Sequence, residues 1–168
     1  MNSMISLLIA LFVISAVLLT VLSCASNPPK VQLADGRLRA CPKSPNCVSS
    51  ESGSASSRVE PLTFWGAPEK AWRDLEETIR EMGGKIQEEH DGYLWATFTS
   101  RLFRFVDDVE FRVVSSDGMI HVRSGSRVGY SDLGVNRRRV EKIRTIFNKK
   151  RDQGAGQQAN SADPQQRR

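Results

Sequence analysis

The sequence predicts an α+β domain in which a mostly antiparallel sheet of about four or five strands is covered on one face by two helices. Three observations support this prediction: an amphipathic helical stripe, a following series of strand-like segments separated by Asp-Gly turns, and a second amphipathic helical segment. The chain has 168 residues, of which 39% are hydrophobic and 26% are charged, as in an ordinary globular domain. This composition excludes a chain that is disordered throughout.

The first strand and the first helix of the domain are predicted between residues 59 and 82. Residues 59–64 suit a short strand, and Pro61 restricts it to an edge because proline lacks the N–H that a central strand donates. Pro68 suits the start of a helix, and the glycine pair after residue 82 ends it. The apolar residues of this helix recur three or four positions apart and form one stripe: Ala71, Trp72, Leu75, Ile79 and Met82.

Four further strands and a second helix are expected to follow. Hairpin turns at Asp91-Gly92 and Asp117-Gly118 separate strand-like segments. Asp107 interrupts an apolar face of the longest segment, which is formed by alternate residues: Phe103, Phe105, Val109, Phe111 and Val113. The predicted strands cover residues 85–89, 93–99, 102–114 and 119–128, and the second helix covers residues 135–149.

The N-terminal segment predicts export from the cytoplasm. Residues 4–23 carry no charge and are apolar or small, and residues 21–24, Val-Leu-Ser-Cys, resemble the bacterial lipobox, whose cysteine is lipidated. Residues 1–23 are interpreted as a lipoprotein signal, with an uncleaved anchor helix as the alternative, since about 20 apolar residues match a bilayer's thickness. Leu22 is larger than the motif usually has, and no Lys or Arg precedes the apolar run, so both interpretations stay open.

Both interpretations place the protein in a bacterial cell envelope, anchored to the membrane and facing the periplasm. Lipid on Cys24 would supply several acyl chains, which is enough for stable anchoring. Ala25 stands where an Asp would retain a lipoprotein in the inner membrane, so the resemblance to known sorting signals favours the outer membrane.

Residues 24–58 are expected to form a spacer with a small cysteine loop and a serine-rich connector. Cys41 and Cys47 enclose the loop, and in an exported chain such a closely spaced pair most often forms a disulfide. A metal site or a redox-active pair is less favoured, because the spacing is not CxxC and neither histidine is near in sequence. Six serines within residues 49–57 predict a flexible connector.

The positive charge of the chain is concentrated at its C-terminal end. The net charge is +5, yet residues 137–168 contain ten Lys and Arg against three Asp and Glu. The folded domain is expected over residues 59–150, and residues 151–168 are expected to be a disordered polar tail. A basic segment suits nucleic acid, but export makes anionic headgroups or envelope polymers the expected partners instead.

Three stretches of the sequence resemble the DUF1499 family, a domain of unknown function in bacteria and plastids. These stretches are CPKSPNCVSS, YLWATFTSRLFRFVDDVEFRV and IHVRSGSRVGYSDLGVNRRRVEKIRTIF. The resemblance covers residues 41–147, and it supports treating the cysteine loop and the later domain as one unit. It implies no activity and supplies no catalytic residues.

Arginines and carboxylates supply the candidate binding residues. Arg123 and Arg127 lie four residues apart on one strand and therefore share a face, and Gly125 between them allows close approach of another group. Arg137 lies in the first turn of the last helix, where the helix dipole disfavours a cation and a bound anion would offset it. Their expected companions are Asp107, Asp108, Asp132 and Asn136.

Two interpretations of this set stay open. It is either a cross-strand ion-pair network, with Asp108 near Arg127, or a basic pocket that binds phosphate or carboxylate through forked guanidinium groups. A concave site at these arginines would favour ligand binding, and a flat one would favour docking of another protein.

The sequence contains no recognisable catalytic or cofactor motif. GxSxG, Walker and zinc-ligand patterns are lacking, and His121 would indicate an enzyme only beside a buried carboxylate with a shifted pKa. We therefore expect a non-enzymatic envelope lipoprotein, without metal or cofactor, that binds an anionic or amphipathic small ligand through its arginine-rich face. The alternatives are a module that docks another envelope protein and an enzyme of unknown reaction.

Overall fold

The computed structural model describes residues 2–25, 33–101 and 104–161. One antiparallel sheet contains six strands, which are β1 (Cys47–Ser49), β2 (Leu62–Thr63), β3 (Lys85–His90), β4 (Tyr93–Thr99), β5 (Val106–Val114) and β6 (Met119–Ser126). The helices are α1 (Asn2–Ala25), α2 (Pro68–Glu81) and α3 (Val135–Ser161). The predicted α+β class is confirmed, with a somewhat larger sheet than expected.

Strand β6 organises the sheet because it is paired along both of its edges. The strand order is β1-β6-β5-β4-β3, and β2 pairs with β6 at the same edge as β1. The predicted first strand, residues 59–64, is reduced to the two residues of β2, since only Leu62 and Thr63 pair with β6. The long β5–β6 hairpin sets Glu110 opposite Arg123 and Asp108 opposite Gly125.

The apolar core lies between one face of the sheet and helices α2 and α3. Alternate residues of the strands point to this face, so that Leu94, Val109 and Phe111 are fully buried. The stripe predicted for α2 and the corresponding stripe of α3 pack against them: Ala71, Leu75, Ile79, Val140, Ile143 and Phe147. Burial of each large aliphatic or aromatic side chain stabilises the fold by about 1.5–3 kcal/mol. The prediction of two helices on one face is confirmed.

Helix α3 extends beyond its predicted end at residue 149 and reaches Ser161. Residues 151–161, which were expected to belong to the polar tail, are thus part of this helix. The Arg151 guanidinium stacks on the Trp65 ring, 3.8 Å from its centroid, and Nη1 donates to the Thr63 carbonyl at 2.8 Å. These partners lie far away in sequence, so the composition of residues 151–161 contains no information about them.

Helix α1 coincides with the segment predicted to be a signal or an anchor. Its described side chains, residues 4–15, are all exposed. In the described part of the chain, no helix is long and apolar enough to cross a membrane. The side chain of Cys24, residue Phe103 and residues 162–168 lie outside the described residues.

Candidate functional site

The sheet face turned away from the helices carries charged side chains that are buried as ion pairs. Arg123 Nη1 donates to Glu110 Oε2 at 2.8 Å, and Arg127 donates through Nε and Nη2 to the two oxygens of Asp108, each at 2.8 Å. Glu110 is 1% exposed and Asp108 is 2% exposed. We call this surface, formed by Asp108, Glu110, Arg112, Arg123 and Arg127, the polar face. Each pair depends on both members, because a buried charge without its partner is costly.

Two aromatic residues of β4 complete the hydrogen bonds of these carboxylates. The Tyr93 hydroxyl donates to Glu110 Oε1 at 2.9 Å, and Trp95 Nε1 donates to Asp108 Oδ1 at 2.8 Å. Burial, with the neighbouring Glu110 carboxylate, raises the pKa of Tyr93 far above its ordinary value of 10.0, so its hydroxyl stays a donor. The sequence interpretation missed both residues, although their alternation with the buried Leu94 indicates the opposite face.

A third ion pair connects the polar face to the segment after β1. Arg112 Nη2 donates to Glu51 Oε1, and Glu51 Oε2 accepts the Leu38 N–H at 2.5 Å. Burial acts to raise the pKa of Glu51, but Arg112 and the Leu38 amide outweigh it and leave the pKa below its ordinary value of 4.5. The segment predicted to be a flexible connector is therefore bound to the sheet through Glu51.

Arg123 and Arg127 share a face as predicted, but each faces a carboxylate rather than open space. Of the two interpretations that the sequence left open, this geometry is the ion-pair network. Gly125 allows the predicted close approach, since an added Cβ would lie 3.3 Å from Cys47 Sγ. In the described part of the chain, the Nε atoms of Arg112 and Arg123 are buried without a hydrogen-bond partner.

Asp107 and Asn136 lie on the helix side of the sheet, away from the polar face. Arg139 Nη2 donates to Asp107 Oδ2 at 2.5 Å, which explains why an acidic residue interrupts the apolar face of β5. Asn136 is fully buried, and its Nδ2 donates to the Asn46 carbonyl at 3.0 Å and to Ser126 Oγ at 2.9 Å. Asn136 thus joins helix α3 to β6 and to the cysteine loop instead of facing a ligand.

Asp132 caps helix α3 and is turned away from Arg123 and Arg127. Its two carboxylate oxygens accept the N–H groups of Gly134 at 2.9 Å and Asn136 at 2.8 Å. Burial acts to raise the pKa of Asp132, but these amides outweigh it and hold the pKa below its ordinary value of 3.8. The carboxylate thus caps the start of α3 and offsets part of the cationic charge in the first turn.

Arg137, the third predicted arginine, points to the serine-rich segment. Its Nη1 donates to the Arg58 carbonyl and its Nη2 to the Ser56 carbonyl, each at 2.8 Å. The structure therefore does not bring Arg137 together with the pair on the polar face. Because carbonyls are uncharged, the positive charge of Arg137 is not cancelled by these partners.

A cavity of about 570 Å³ separates the cysteine loop, the serine-rich segment and the start of helix α3. We call it the loop cavity, and its charged and hydroxyl-bearing lining includes Lys43, Glu51, Ser54, Asp132 and Arg137. The predicted disulfide between Cys41 and Cys47 is confirmed and forms part of the wall, with 5.6 Å between the Cα atoms. Asn46 Nδ2 donates to the Gly129 carbonyl at 2.6 Å and holds the loop in place.

His121 pairs with a serine on the polar side of β6. Ser50 Oγ lies 3.1 Å from His121 Nδ1 and accepts the Val122 N–H at 2.9 Å. The tautomer of the imidazole decides whether the serine hydroxyl or His121 Nδ1 is the donor in this contact. Burial lowers the pKa of His121 below its ordinary value of 6.5, and Arg112 acts in the same direction against the raising effect of Glu51.

Among the described residues, no three His, Cys, Asp or Glu side chains are grouped as a metal ion would need. The family model described as "Protein of unknown function (DUF1499)" matches residues 37–147. The chain belongs to the DUF1499 family. The DUF1499 match includes the cysteine loop, the whole sheet and α3 up to Phe147, so the loop cavity and the polar face both lie within it. No curated protein and no solved structure matches the chain significantly.

The first prediction concerns the ion pair of Arg127 and Asp108, which two hydrogen bonds join within this DUF1499 domain. Arg127→Ala should lower the free energy of unfolding, measured by urea denaturation, by about 3 kcal/mol, because Asp108 would stay buried without its partner. Arg73→Ala, at an exposed arginine of α2, is the matched control and should change it by less than about 0.5 kcal/mol. Replacing Asp108 by Asn in the Arg127→Ala variant should recover part of the loss. Equal stability of the two single variants would contradict a buried ion pair.

The second prediction concerns the pH dependence of stability. Because the pKa of His121 is lowered in the folded chain, the unfolded chain takes up a proton near pH 6.5 while the folded chain stays neutral at this residue. The free energy of unfolding therefore falls as the pH decreases below about 6.5. His121→Gln should reduce the loss of unfolding free energy between pH 7 and about pH 5.5. His90→Gln, at a half-exposed histidine, serves as the control. If the free energy of unfolding fell more steeply with decreasing pH in His121→Gln than in the native chain, the pKa of His121 would not be lowered by folding.

Proposed function

We propose that the protein is a non-enzymatic lipoprotein of the bacterial cell envelope that binds a small anionic or amphipathic ligand in the loop cavity. The observation that carries this proposal is the cavity itself, because it is about 570 Å³ in volume, is walled by two anchored segments and has charged and hydroxyl-bearing side chains in its lining. Cavities of this size suit small molecules. A preformed wall also reduces the ordering cost that binding would otherwise require.

The charges around the loop cavity favour an anionic ligand. Glu51 is neutralised by Arg112, and the Asp132 carboxylate is used by the amides at the start of α3. Lys43 is exposed and forms no ion pair with the described residues, and Arg137 is bound only to carbonyls. Among the described residues, the cations Lys43 and Arg137 thus outnumber the one carboxylate of the lining that no cation pairs, that of Asp132, and this net positive charge suits a phosphate or carboxylate group.

The arginine-rich polar face supports this cavity instead of contacting the ligand. Arg112 holds Glu51 in the cavity wall, and Gly125 provides the space in which Cys47 packs against β6. Arg123 is bound to Glu110 beside that contact. We therefore propose that Arg137, which the sequence predicted, and Lys43 contact the ligand, whereas Arg123 and Arg127 stabilise the sheet that supports the cavity.

The surroundings of His121 support a non-enzymatic function. Ser50 and His121 form a serine–histidine pair, and the buried Glu51 influences the imidazole, which is the arrangement that would indicate an enzyme. Ser50, however, is buried, and its oxygen accepts a backbone N–H of β6, so it is held as a structural hydroxyl. Neither Ser50 nor His121 borders the loop cavity, where a substrate would bind.

The lipobox-like residues before Cys24 support lipid anchoring in the envelope. The disulfide between Cys41 and Cys47 agrees with an oxidising compartment such as the periplasm. After cleavage at Cys24, residues 25–36 would form the tether between the lipid and the folded domain. We propose the outer membrane as the destination because Ala25, not Asp, follows the cysteine.

The third prediction tests ligand binding. Inorganic phosphate, glycerol phosphate and short carboxylates should raise the Tm of the native protein, with a gain of about 2.7 kcal/mol at a hundredfold excess over Kd. Lys43→Met should abolish most of the gain without lowering the basal Tm, because Lys43 is exposed and has no ion pair in the described residues. Lys149→Met, at an exposed lysine on α3 away from the cavity, should keep the gain. The absence of any ligand-dependent shift across these anions would contradict the proposal.

The fourth prediction tests anchoring. Cys24→Ser should abolish incorporation of labelled palmitate when the full chain is expressed in a Gram-negative host. The Cys41→Ser/Cys47→Ser double variant should remain labelled, since those cysteines are joined to each other. Label that persists in Cys24→Ser, or is lacking in the native chain, would exclude a lipoprotein.

A further inference from the structure

An exposed apolar cluster lies in the turn between β6 and α3. Apart from those of helix α1, the exposed large apolar residues of the described chain are Trp65, Tyr130, Leu133 and Val135. Arg151 stacks on the ring of Trp65, whereas the other three fall within six consecutive residues. Tyr130 is 78% exposed and Leu133 is 84% exposed. We call Tyr130, Leu133 and Val135 the apolar tip.

The backbone of the apolar tip is held in one conformation by hydrogen bonds. Asn46 Nδ2 binds the Gly129 carbonyl at its base, and Ser131 Oγ accepts the Leu133 N–H at 3.3 Å. Leu133 has a φ of +52°, in the left-handed region that large side chains normally avoid. The turn formed in this way lets Asp132 accept the N–H groups of Gly134 and Asn136, and it leaves the Leu133 side chain pointing into solvent.

Two exposed cations of helix α3 follow the apolar tip. Arg138 reaches back to the tip and donates from Nη1 to the Leu133 carbonyl at 2.9 Å. Lys142 follows one turn later on the same side of α3 and is exposed. Of the nearby acids, Glu141 pairs with Arg144, and the Asp132 carboxylate is directed to the amides at the start of α3. Arg138 and Lys142 outnumber that one carboxylate, so the surface around the tip has a net positive charge.

We propose that the apolar tip docks on the surface of a bilayer that contains anionic phospholipids. Tyrosine favours the headgroup level of a membrane, a leucine side chain reaches the upper acyl region, and flanking Arg and Lys pair with phosphates. This combination of a few apolar residues within a basic surface is complementary to anionic lipid. The inference rests on the proposed envelope location but not on a ligand in the loop cavity.

Docking of the tip would place the loop cavity beside the lipid headgroups. Asp132 and Gly134 line the cavity, and they alternate in sequence with Leu133 and Val135 of the tip. The same turn therefore borders the cavity on one side and contacts the membrane on the other. A lipid-anchored domain held in this way presents one defined side to the bilayer instead of rotating freely on its tether.

Hydrogen exchange of the full chain on vesicles tests the proposal. Vesicles of equal parts phosphatidylglycerol and phosphatidylcholine should slow amide exchange in residues 129–135, and pure phosphatidylcholine should not. Leu133→Asn should reduce the protected population about tenfold, because it removes the apolar contact, while asparagine tolerates the left-handed conformation and preserves the fold. Lys142→Glu should reduce it about fivefold or more, in proportion to the lost attraction of a cation for the anionic surface.

A charge reversal of the same size at a distant arginine serves as the control. Arg73→Glu changes the net charge equally at an exposed arginine of α2 and should leave the protection of residues 129–135 unchanged. Equal exchange on both kinds of vesicle, or full protection in Leu133→Asn, would overturn the proposal. Protection that is lacking on vesicles but present in isolated native envelopes would assign the tip to a protein partner instead. If the protein is not anchored at all, less of it binds to both vesicle types. If only the tip does not dock, the bound protein shows the same exchange in residues 129–135 on both types.

Discussion

The pairing of buried carboxylates with arginines is the constraint on which the rest of the structure depends. Asp107, Asp108 and Glu110 are consecutive or alternate residues of β5, and all three are less than a tenth exposed. Removing such charges from water costs several kcal/mol each unless a well-oriented partner replaces the solvent. Arg139 of α3 on one face, and Arg127 and Arg123 on the other, supply those partners. The central hairpin is therefore held from both faces.

This constraint extends from the sheet to the loops that form the cavity. Glu51 brings the serine-rich segment to Arg112, and Asn136 connects the cysteine loop to the start of α3. The disulfide closes only a short loop, so its contribution through chain entropy is about 2 kcal/mol, and its main effect is on local shape. A segment that looks unstructured in sequence becomes the wall of a defined cavity because charged and polar groups hold it.

The loop cavity and the apolar tip are adjacent because the turn between β6 and α3 contributes residues to each of them. Asp132 faces inward and caps α3, while Leu133 faces outward with the left-handed backbone that this turn requires. The cations and hydroxyls that border the cavity are the groups on which the binding function proposed above depends. In this DUF1499 domain, the ion-paired sheet supports the wall of that cavity through Glu51 and Arg112.

The sequence by itself determined the α+β class, helix α2, the β3–β4 and β5–β6 hairpins, and the disulfide, because apolar periodicity and turn residues act over short distances. It also placed Arg123 and Arg127 on one face, since alternation along a strand is local. Only the tertiary structure decided that these guanidinium groups face Asp108 and Glu110 while Arg137 points to the serine-rich segment. The partners of a charge, like the Trp65 contact that extends α3, come from residues distant in sequence, and local patterns carry no information about which distant groups become neighbours.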